Sequence, residues 1–234
     1  MRSRVLASMV WMGVMAAGAS ASAQDRRVDA PWRVSFEVGG RWHHDSGLDA
    51  FGETRSPPVA GLSFGRDLVG IGDRATLAVD LNWNAENFEG RLRDSLTSRL
   101  TAHSMSAGLS LRVRTLWWLE PYARVAAGAL YSDILLTPES DSSQGGALTG
   151  DAWTFMGNAG LGVQLTTPAF LGTLRGAFAL EGGYQLALSQ EMRVHPQALS
   201  DEAAQADRLP VMDTSLGTLS QSGGYLRVLL GLRF

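Results

Sequence analysis

The 234-residue chain contains no cysteine and no lysine, so its 20 basic residues are all arginine. The absence of cysteine excludes disulfide bonds, thiolate metal sites and a lipid anchor on an N-terminal cysteine. The formal net charge of −3 is too small to indicate a nucleic-acid partner, and no basic run or aromatic-spaced basic stripe indicates one either. The length fits a single domain.

A long apolar segment is also missing beyond the first residues of the chain. No later stretch approaches the run of about 18 apolar residues that a membrane-spanning helix requires. If the chain crosses a bilayer, a closed β-barrel is the structure that remains, because every backbone polar group must find its hydrogen-bond partner within the protein.

Residues 1–23 are predicted to be a cleaved secretory signal peptide. Arg2 and Arg4 form a positively charged start, residues 5–17 form an apolar segment, and residues 21–23 have the small-x-small pattern of a cleavage site. A membrane anchor is the alternative, but about a dozen apolar residues are fewer than the roughly 20 that a spanning helix needs.

The predicted mature domain, residues 24–234, is dominated by strict alternation of apolar and polar residues, which is typical of β-strands with two unlike faces. Over residues 32–42, tryptophan, valine and phenylalanine occupy most even positions, and arginine, serine, glutamate and glycine occupy the odd ones. The pattern recurs seven times, at residues 58–66, 75–85, 101–114, 121–132, 152–165, 174–187 and 221–234. Eight strands of about 9–14 residues are therefore predicted, each long enough to cross a bilayer at the usual tilt.

The predicted connections alternate between short and long. The short turns are residues 67–74, 115–120 and 166–173, and the long polar loops are residues 43–57, 86–100, 133–151 and 188–220. In outer-membrane barrels short turns are periplasmic and long loops are extracellular. Both termini are therefore predicted on the periplasmic side, and the extracellular loops are expected to be mobile, hydrophilic and acidic.

A soluble barrel with its apolar face inward, as in lipocalins, is the alternative fold. The polar face mixes charged residues with many glycines and alanines, which suits the crowded interior of a narrow barrel better than a solvated surface. Aromatic residues also cluster at both ends of the strands, as interface girdles do. The predicted girdle residues are Trp32, Trp117 and Trp118 at the short-turn end, and Trp42, Trp83, Tyr131, Trp153 and Tyr184 at the long-loop end.

The last strand ends in Phe234, with Val228, Leu230 and Leu232 at the alternate positions before it. This ending resembles the C-terminal strand of bacterial outer-membrane β-barrel proteins, in which it is a recognition signal for the barrel assembly machinery. The mature chain is similar in architecture to the small eight-stranded group, including the membrane domain of outer-membrane protein A. It differs in having no periplasmic domain after the barrel, so peptidoglycan anchoring is not expected.

The resemblance implies an all-β fold, an eight-stranded antiparallel up-and-down transmembrane β-barrel in the outer membrane of a Gram-negative bacterium. Outer-membrane lipid and the barrel assembly machinery are its expected partners, and we expect a monomer. The sequence does not indicate whether the protein binds an extracellular ligand.

The polar face defines a predicted lumen in which arginine exceeds carboxylate. The predicted lumen residues are Arg33, Glu37, Arg41, Asp80, Arg112, Arg124, Arg175, Glu181 and Arg227. Such charges must be paired or hydrated inside a barrel, so a network that fills and rigidifies the interior is the favoured interpretation. The alternative is a narrow porin-like channel for small anionic or hydrophobic solutes, although open aqueous channels generally need about 16 strands.

No catalytic residue, cofactor or metal site is predicted. Lipid A deacylases place a histidine and a serine two positions apart on one strand face, but here Met105 occupies that position relative to His103, and Ser104 points to the other face. His43 and His44 also point to opposite faces and are expected to be solvated at a loop edge. The chain is therefore predicted to be a non-enzymatic barrel with a structural or surface-interaction role, and a lipid A-modifying enzyme is the least favoured alternative.

Overall fold

The computed structural model describes residues 31–45, 47–48, 51, 56–92, 96–138, 147–196 and 214–234. The predicted signal peptide lies outside the described residues, as do the acidic centres of the third and last long loops. Within the described parts of the chain, no helix is long and apolar enough to cross a membrane.

Ten β-strands form the described structure. They are β1 (Trp32–His43), β2 (Pro58–Ile71), β3 (Ala75–Leu92), β4 (Leu96–Val113), β5 (Leu119–Pro138), β6 (Leu148–Thr166), β7 (Arg175–Ala187), β8 (Gln190–Pro196), β9 (Thr214–Leu219) and β10 (Gly223–Arg233). Strands β1 to β7 pair with their sequence neighbours, β7 pairs with β10, and β10 closes the ring on β1, all antiparallel. The predicted eight-stranded up-and-down barrel is confirmed.

The pleat of each strand separates an exposed apolar face from a buried polar one. On β1, the side chains of Val34, Phe36 and Val38 are 42–48% exposed, whereas Arg33 and Glu37 are 4% and 1% exposed. This distribution is the reverse of the one in a soluble protein, because the outer face of the barrel contacts lipid hydrocarbon rather than water. The lipocalin-like alternative is therefore wrong.

Strands β3 to β6 are 18–20 residues long and extend well beyond the predicted strand ends. On β4, the outward row from His103 to Val113 spans about 25 Å along the barrel axis at the usual rise and tilt, which matches the apolar band of an outer-membrane barrel. The six residues before Ala102 then project roughly 15–20 Å further. Most of the predicted loops 86–100 and 133–151 is thus strand.

The reason for this difference is that the hydrophobic pattern inverts where the wall leaves the membrane. In the extension, Phe88, Leu100 and Ile134 point inward and are buried, while Glu89 and Asp133 point outward and are exposed. The outer face of the extension contacts water instead of lipid, so the barrel has an ordinary protein core at this level. Polar outward residues made these segments resemble loops in the sequence.

The last long connection also contains regular structure, which corrects the prediction of a mobile hydrophilic loop over 188–220. Strands β8 and β9 form a hairpin, and β8 also pairs with β6 through Leu148–Pro196 and Thr149–His195, at the long-loop end that is predicted to be extracellular. The hairpin leans against the barrel mouth because its apolar side chains are buried there, as described below.

Candidate functional site

The candidate site is the barrel interior. The nine predicted lumen residues lie on inward positions of β1, β3, β4, β5, β7 and β10, and eight of them are buried, with 8% exposure or less. The ninth, Arg175 at the start of β7, is half-buried. Closure of the ring brings these side chains together although they are spread from residue 33 to residue 227 of the sequence.

Four further charged residues share the interior and were not among the predicted lumen residues: Asp67, Glu86, Glu120 and Arg233. The first three were assigned to turns or loops because the predicted strands were too short at those ends. With them, the described interior holds six buried arginines and six buried carboxylates. The predicted excess of arginine is therefore wrong for the buried lumen. The alternation of inward positions, continued past the predicted strand ends, was the signal that could have identified them.

The third of the lumen at the short-turn end, which is predicted to be periplasmic, contains a chain of alternating charges. Arg33 pairs with Asp67 and, at 2.9 Å, with Asp80. Arg233 lies 2.7 Å from Asp67 and 3.1 Å from Glu120. Each carboxylate and each guanidinium in this group has a partner on another strand, so the first, second, third, fifth and last strands of the barrel are cross-linked at this level.

Glu181 is the centre of a second group in the middle of the barrel. Its carboxylate accepts hydrogen bonds from Arg227 at 2.6 Å, from the Tyr122 hydroxyl at 2.8 Å and from the Tyr225 hydroxyl at 2.9 Å. Arg227 also donates to Glu37 at 2.5 Å. The two carboxylates share one guanidinium, so each of these buried charges has at least one close partner of opposite charge.

Glycine on two neighbouring strand positions makes room for the tyrosines of this group. A Cβ atom on Gly160 would lie 2.4 Å from the Tyr225 hydroxyl oxygen, and one on Gly162 would lie 2.4 Å from Cζ of Tyr122. A larger residue at either position would displace a ring that bonds to Glu181. The small residues of the polar face are therefore required by crowding in a narrow lumen.

A third group lies nearer the extracellular side, where Arg41 pairs with Glu86 and the Nε2 atom of His43 lies 3.3 Å from the same carboxylate. The His43 ring packs on Phe88, with 5.2 Å between the ring centroids. His43 is only 8% exposed, so the prediction that it is solvated at a loop edge is wrong. It points inward because β1 continues through this residue.

An apolar cluster closes the barrel above these charges. Its members, which we call the cap cluster, are Leu48, Phe51, Phe88, Leu100, Ile134, Leu136, Met192, Val194 and Leu219. The wall strands contribute four of them, the first extracellular loop contributes two, and the β8–β9 hairpin contributes three. All are between 0% and 6% exposed, so the hairpin and the first loop are held by burial of apolar surface.

Asp45 connects the two loop elements of the cap. One carboxylate oxygen accepts a hydrogen bond from the backbone N–H of Gly47 at 2.8 Å, and the other accepts one from the backbone N–H of Ser220 at 2.7 Å. Below the cap, the side-chain amides of Gln190 and Gln221 both donate to the Ser132 hydroxyl. The foot of the hairpin is therefore tied to the barrel wall by polar contacts as well as apolar ones.

A cavity of about 20 Å³ lies among these lumen charges, and its larger lining residues are Arg33, Asp80, Arg112, Tyr122 and Gln164. This volume accommodates about one ordered water molecule. An arrangement of this kind can stiffen a barrel and hold its ends in register, and this cavity is too small for a solute larger than water.

The aromatic residues predicted as girdles lie on the outer surface. Trp42, Trp83, Trp117, Trp118, Trp153 and Tyr184 are 38–63% exposed, and Trp32 and Tyr131 are half-buried by aromatic neighbours. At the extracellular end, Tyr131 packs on Trp153 with 4.9 Å between ring centroids. His103 also faces outward and stacks on Trp83, away from the inward-facing Ser104.

The residues predicted as an assembly signal, Val228, Leu230, Leu232 and Phe234, follow one another along the outward side of the last strand. The backbone of Phe234 forms two hydrogen bonds with Trp32, of 2.9 and 3.0 Å. These bonds complete the seam between the first and last strands. Recognition by the assembly machinery stays a prediction.

Among the described residues, no group of three histidine, aspartate, glutamate or cysteine side chains could hold a metal ion. The buried carboxylates are instead occupied by arginine and tyrosine. The inward charges thus have the geometry of a filled interior.

No protein-family model and no curated protein sequence matches the chain. Solved structures do match it. A major outer membrane protein from Thermus thermophilus is 13% identical and has a TM-score of 0.54, with 87% of this chain and 98% of that chain covered. Ail, the attachment invasion locus protein of Yersinia pestis, is 11% identical, with a TM-score of 0.42 and 87% and 97% covered. The N-terminal β-barrel domain of Pseudomonas aeruginosa OprF is 16% identical, with a TM-score of 0.33 and 86% and 96% covered.

The likeness to the Thermus protein extends over nearly its whole length and shows a shared outer-membrane barrel fold. The resemblance inferred from alternation and from the last strand is therefore confirmed at the level of fold. Identities this low do not transfer a function.

Proposed function

We propose that the protein is a non-conducting outer-membrane barrel that holds a rigid cap and wall above the membrane, with a structural or surface-interaction role. The observation that supports the proposal most directly is the filled interior, in which six buried arginines and six buried carboxylates lie beneath the cap cluster. A barrel with a filled interior is suited to anchoring the cap and the wall above the membrane.

Conduction through this lumen would require the central charges to separate. Glu181 and Glu37 share Arg227, and Arg41 pairs with Glu86 just below the cap. Leaving one buried charge without its partner costs about 3–5 kcal/mol, and a permeating ion would disturb several pairs at once. The narrow-channel alternative also loses its main support, because matched charges do not favour anions.

The part of the protein that could contact other molecules is the extracellular extension. Most of its outward side chains are polar, and they include the ion pair Glu89–Arg99, while the hairpin displays the pair Glu191–Arg193. These groups sit on strands that are anchored in the barrel and packed on the cap cluster. A surface held this firmly can bind a partner without first paying the entropy of ordering a loop.

The proposal is tested by recording current across planar bilayers that contain the refolded mature protein. We expect no discrete conductance steps, under conditions in which a 16-stranded porin gives them. A second variant replaces residues 188–220 by an Asn-Gly turn, which removes the hairpin and its part of the cap cluster.

We expect the hairpin-deletion variant to remain silent, because the Arg41–Glu86 group and the central group stay in place beneath it. Reproducible steps of uniform size from the wild type would refute the non-conducting role. Steps from the deletion variant alone would show that the hairpin is a gate, and the channel alternative would replace our proposal.

A further inference from the structure

Arg66 is a charged residue on the lipid-facing side of the periplasmic end of the barrel. On β2, Leu62 and Phe64 point outward and are 52% and 42% exposed, whereas Gly65 and Asp67 point inward. Arg66 follows the outward parity and lies beside Trp32 of β1 and Val79 of β3. It is therefore separated from the lumen charges by the barrel wall.

An aromatic stack holds the Arg66 side chain in place. Its guanidinium carbon lies 4.6 Å from the centroid of the Trp32 ring. The Trp32 ring stacks in turn on Phe64, with 5.2 Å between centroids and 29° between planes. The Trp32 ring contacts one face of the Arg66 guanidinium. The N–H groups at the edge of the guanidinium can therefore still donate hydrogen bonds in the guanidinium plane.

The environment of Arg66 differs from that of Arg99, another arginine on an outward position of the barrel wall. Arg99 pairs with Glu89 on the neighbouring strand. Among the described residues, no carboxylate lies within ion-pair distance of Arg66. A cation at the level of an aromatic girdle, without a protein counterion there, faces the layer where lipid phosphates lie.

We propose that Arg66, held by Trp32, binds the phosphodiester of a phospholipid in the periplasmic leaflet of the membrane. The planar guanidinium matches phosphate with two parallel hydrogen bonds, and the neighbouring apolar wall accommodates the acyl chains. The periplasmic leaflet is indicated because the short turns lie at this end of the barrel. The inference does not depend on whether the lumen conducts.

The test measures lipid retained by the refolded protein in native mass spectrometry from maltoside micelles, with phosphatidylethanolamine as the probe. Wild type is compared with Arg66→Gln, with Arg66→Lys, and with Arg99→Gln as the matched control. Heat-modifiability on a gel verifies that each variant is folded. Loss of one charged contact should weaken retention about tenfold, which corresponds to about 1.4 kcal/mol.

We expect tenfold weaker retention in Arg66→Gln, intermediate retention in Arg66→Lys, because lysine keeps the charge but not the planar fork stacked on Trp32, and no change in Arg99→Gln. Equal retention by wild type and Arg66→Gln would overturn the proposal. Equal retention of a diacylglycerol, which lacks phosphate, would also overturn it, because acyl chains alone would then suffice. A third arm adds inorganic phosphate without lipid. In this arm the unfolding temperatures of wild type and Arg66→Gln are compared with free phosphate and with phospholipid. If both ligands stabilise wild type relative to the variant by the same amount, the site binds free anions and the lipid assignment fails.

Discussion

Removal of the Glu181 carboxylate tests whether the charge network stabilises the barrel or only fills it. Glu181 is 1% exposed and accepts hydrogen bonds from Arg227, Tyr122 and Tyr225. Glu181→Ala leaves two buried hydroxyls and a cavity, and it takes one of two carboxylates from Arg227. Breaking a buried pair costs about 3–5 kcal/mol. Because Glu37 remains beside Arg227, we expect a loss of about 3 kcal/mol.

The measurement is urea unfolding of the refolded protein in phospholipid vesicles, followed by tryptophan fluorescence and by migration of unboiled samples. Glu181→Gln keeps one oxygen, which can accept from one of the two tyrosines, so we expect a smaller loss than for alanine. The matched control is Glu89→Ala, which removes a carboxylate from the exposed pair with Arg99 and should cost at most about 1 kcal/mol.

A loss for Glu181→Ala no larger than that for Glu89→Ala would refute the reasoning, since a solvated pair would then be equivalent to the buried one. It would also imply that water enters the middle of the lumen, against the packing described above. A large loss with an unchanged urea dependence would place the whole effect in the folded barrel.

Three further predictions concern the faces and the cap. Leu109→Arg puts a charge on the lipid-facing side near the middle of the apolar band and should cost about 2–4 kcal/mol in vesicle unfolding; a neutral effect would invert the face assignment. Asp45→Ala removes the acceptor of the Gly47 and Ser220 amides, so proteolysis of the hairpin should accelerate about tenfold while the heat shift of the barrel is kept. Thr218→Cys, in a chain without cysteine, should react with an impermeant thiol reagent on intact cells, and failure to label would contradict the extracellular position of β9.

The extracellular extension explains why part of the structure was hidden in the sequence. Within the membrane, outward positions are apolar, but above it Glu89 and Asp133 occupy the same parity and Leu100 faces inward. The alternation of inward and outward residues continues from the membrane into the extension. At the membrane interface, however, the apolar residues change from the outward face to the inward face. Polar residues in the extension therefore indicated loops, and the strands were predicted too short.

The sequence predicted that charged residues fill the lumen, but it did not identify all of those residues. Inward parity identified Arg33, Glu37 and Glu181, because each lies in a strand with a clear alternation. Asp67, Glu86 and Glu120 share that parity but lie near strand ends, which is where sequence patterns are weakest. Their omission turned a balanced interior into one with a predicted excess of arginine.

The sequence by itself determined the number of membrane strands, their direction and the face that each presents to lipid, because strict alternation and turn lengths are local properties. Only the tertiary structure decided which charges meet. Arg227 and Glu37 are 190 residues apart in sequence, and they pair because the last strand closes on the first. The cap was decided in the same way, since Phe51, Leu100 and Val194 come from distant segments and burial in one cluster depends on the closed ring that gathers them.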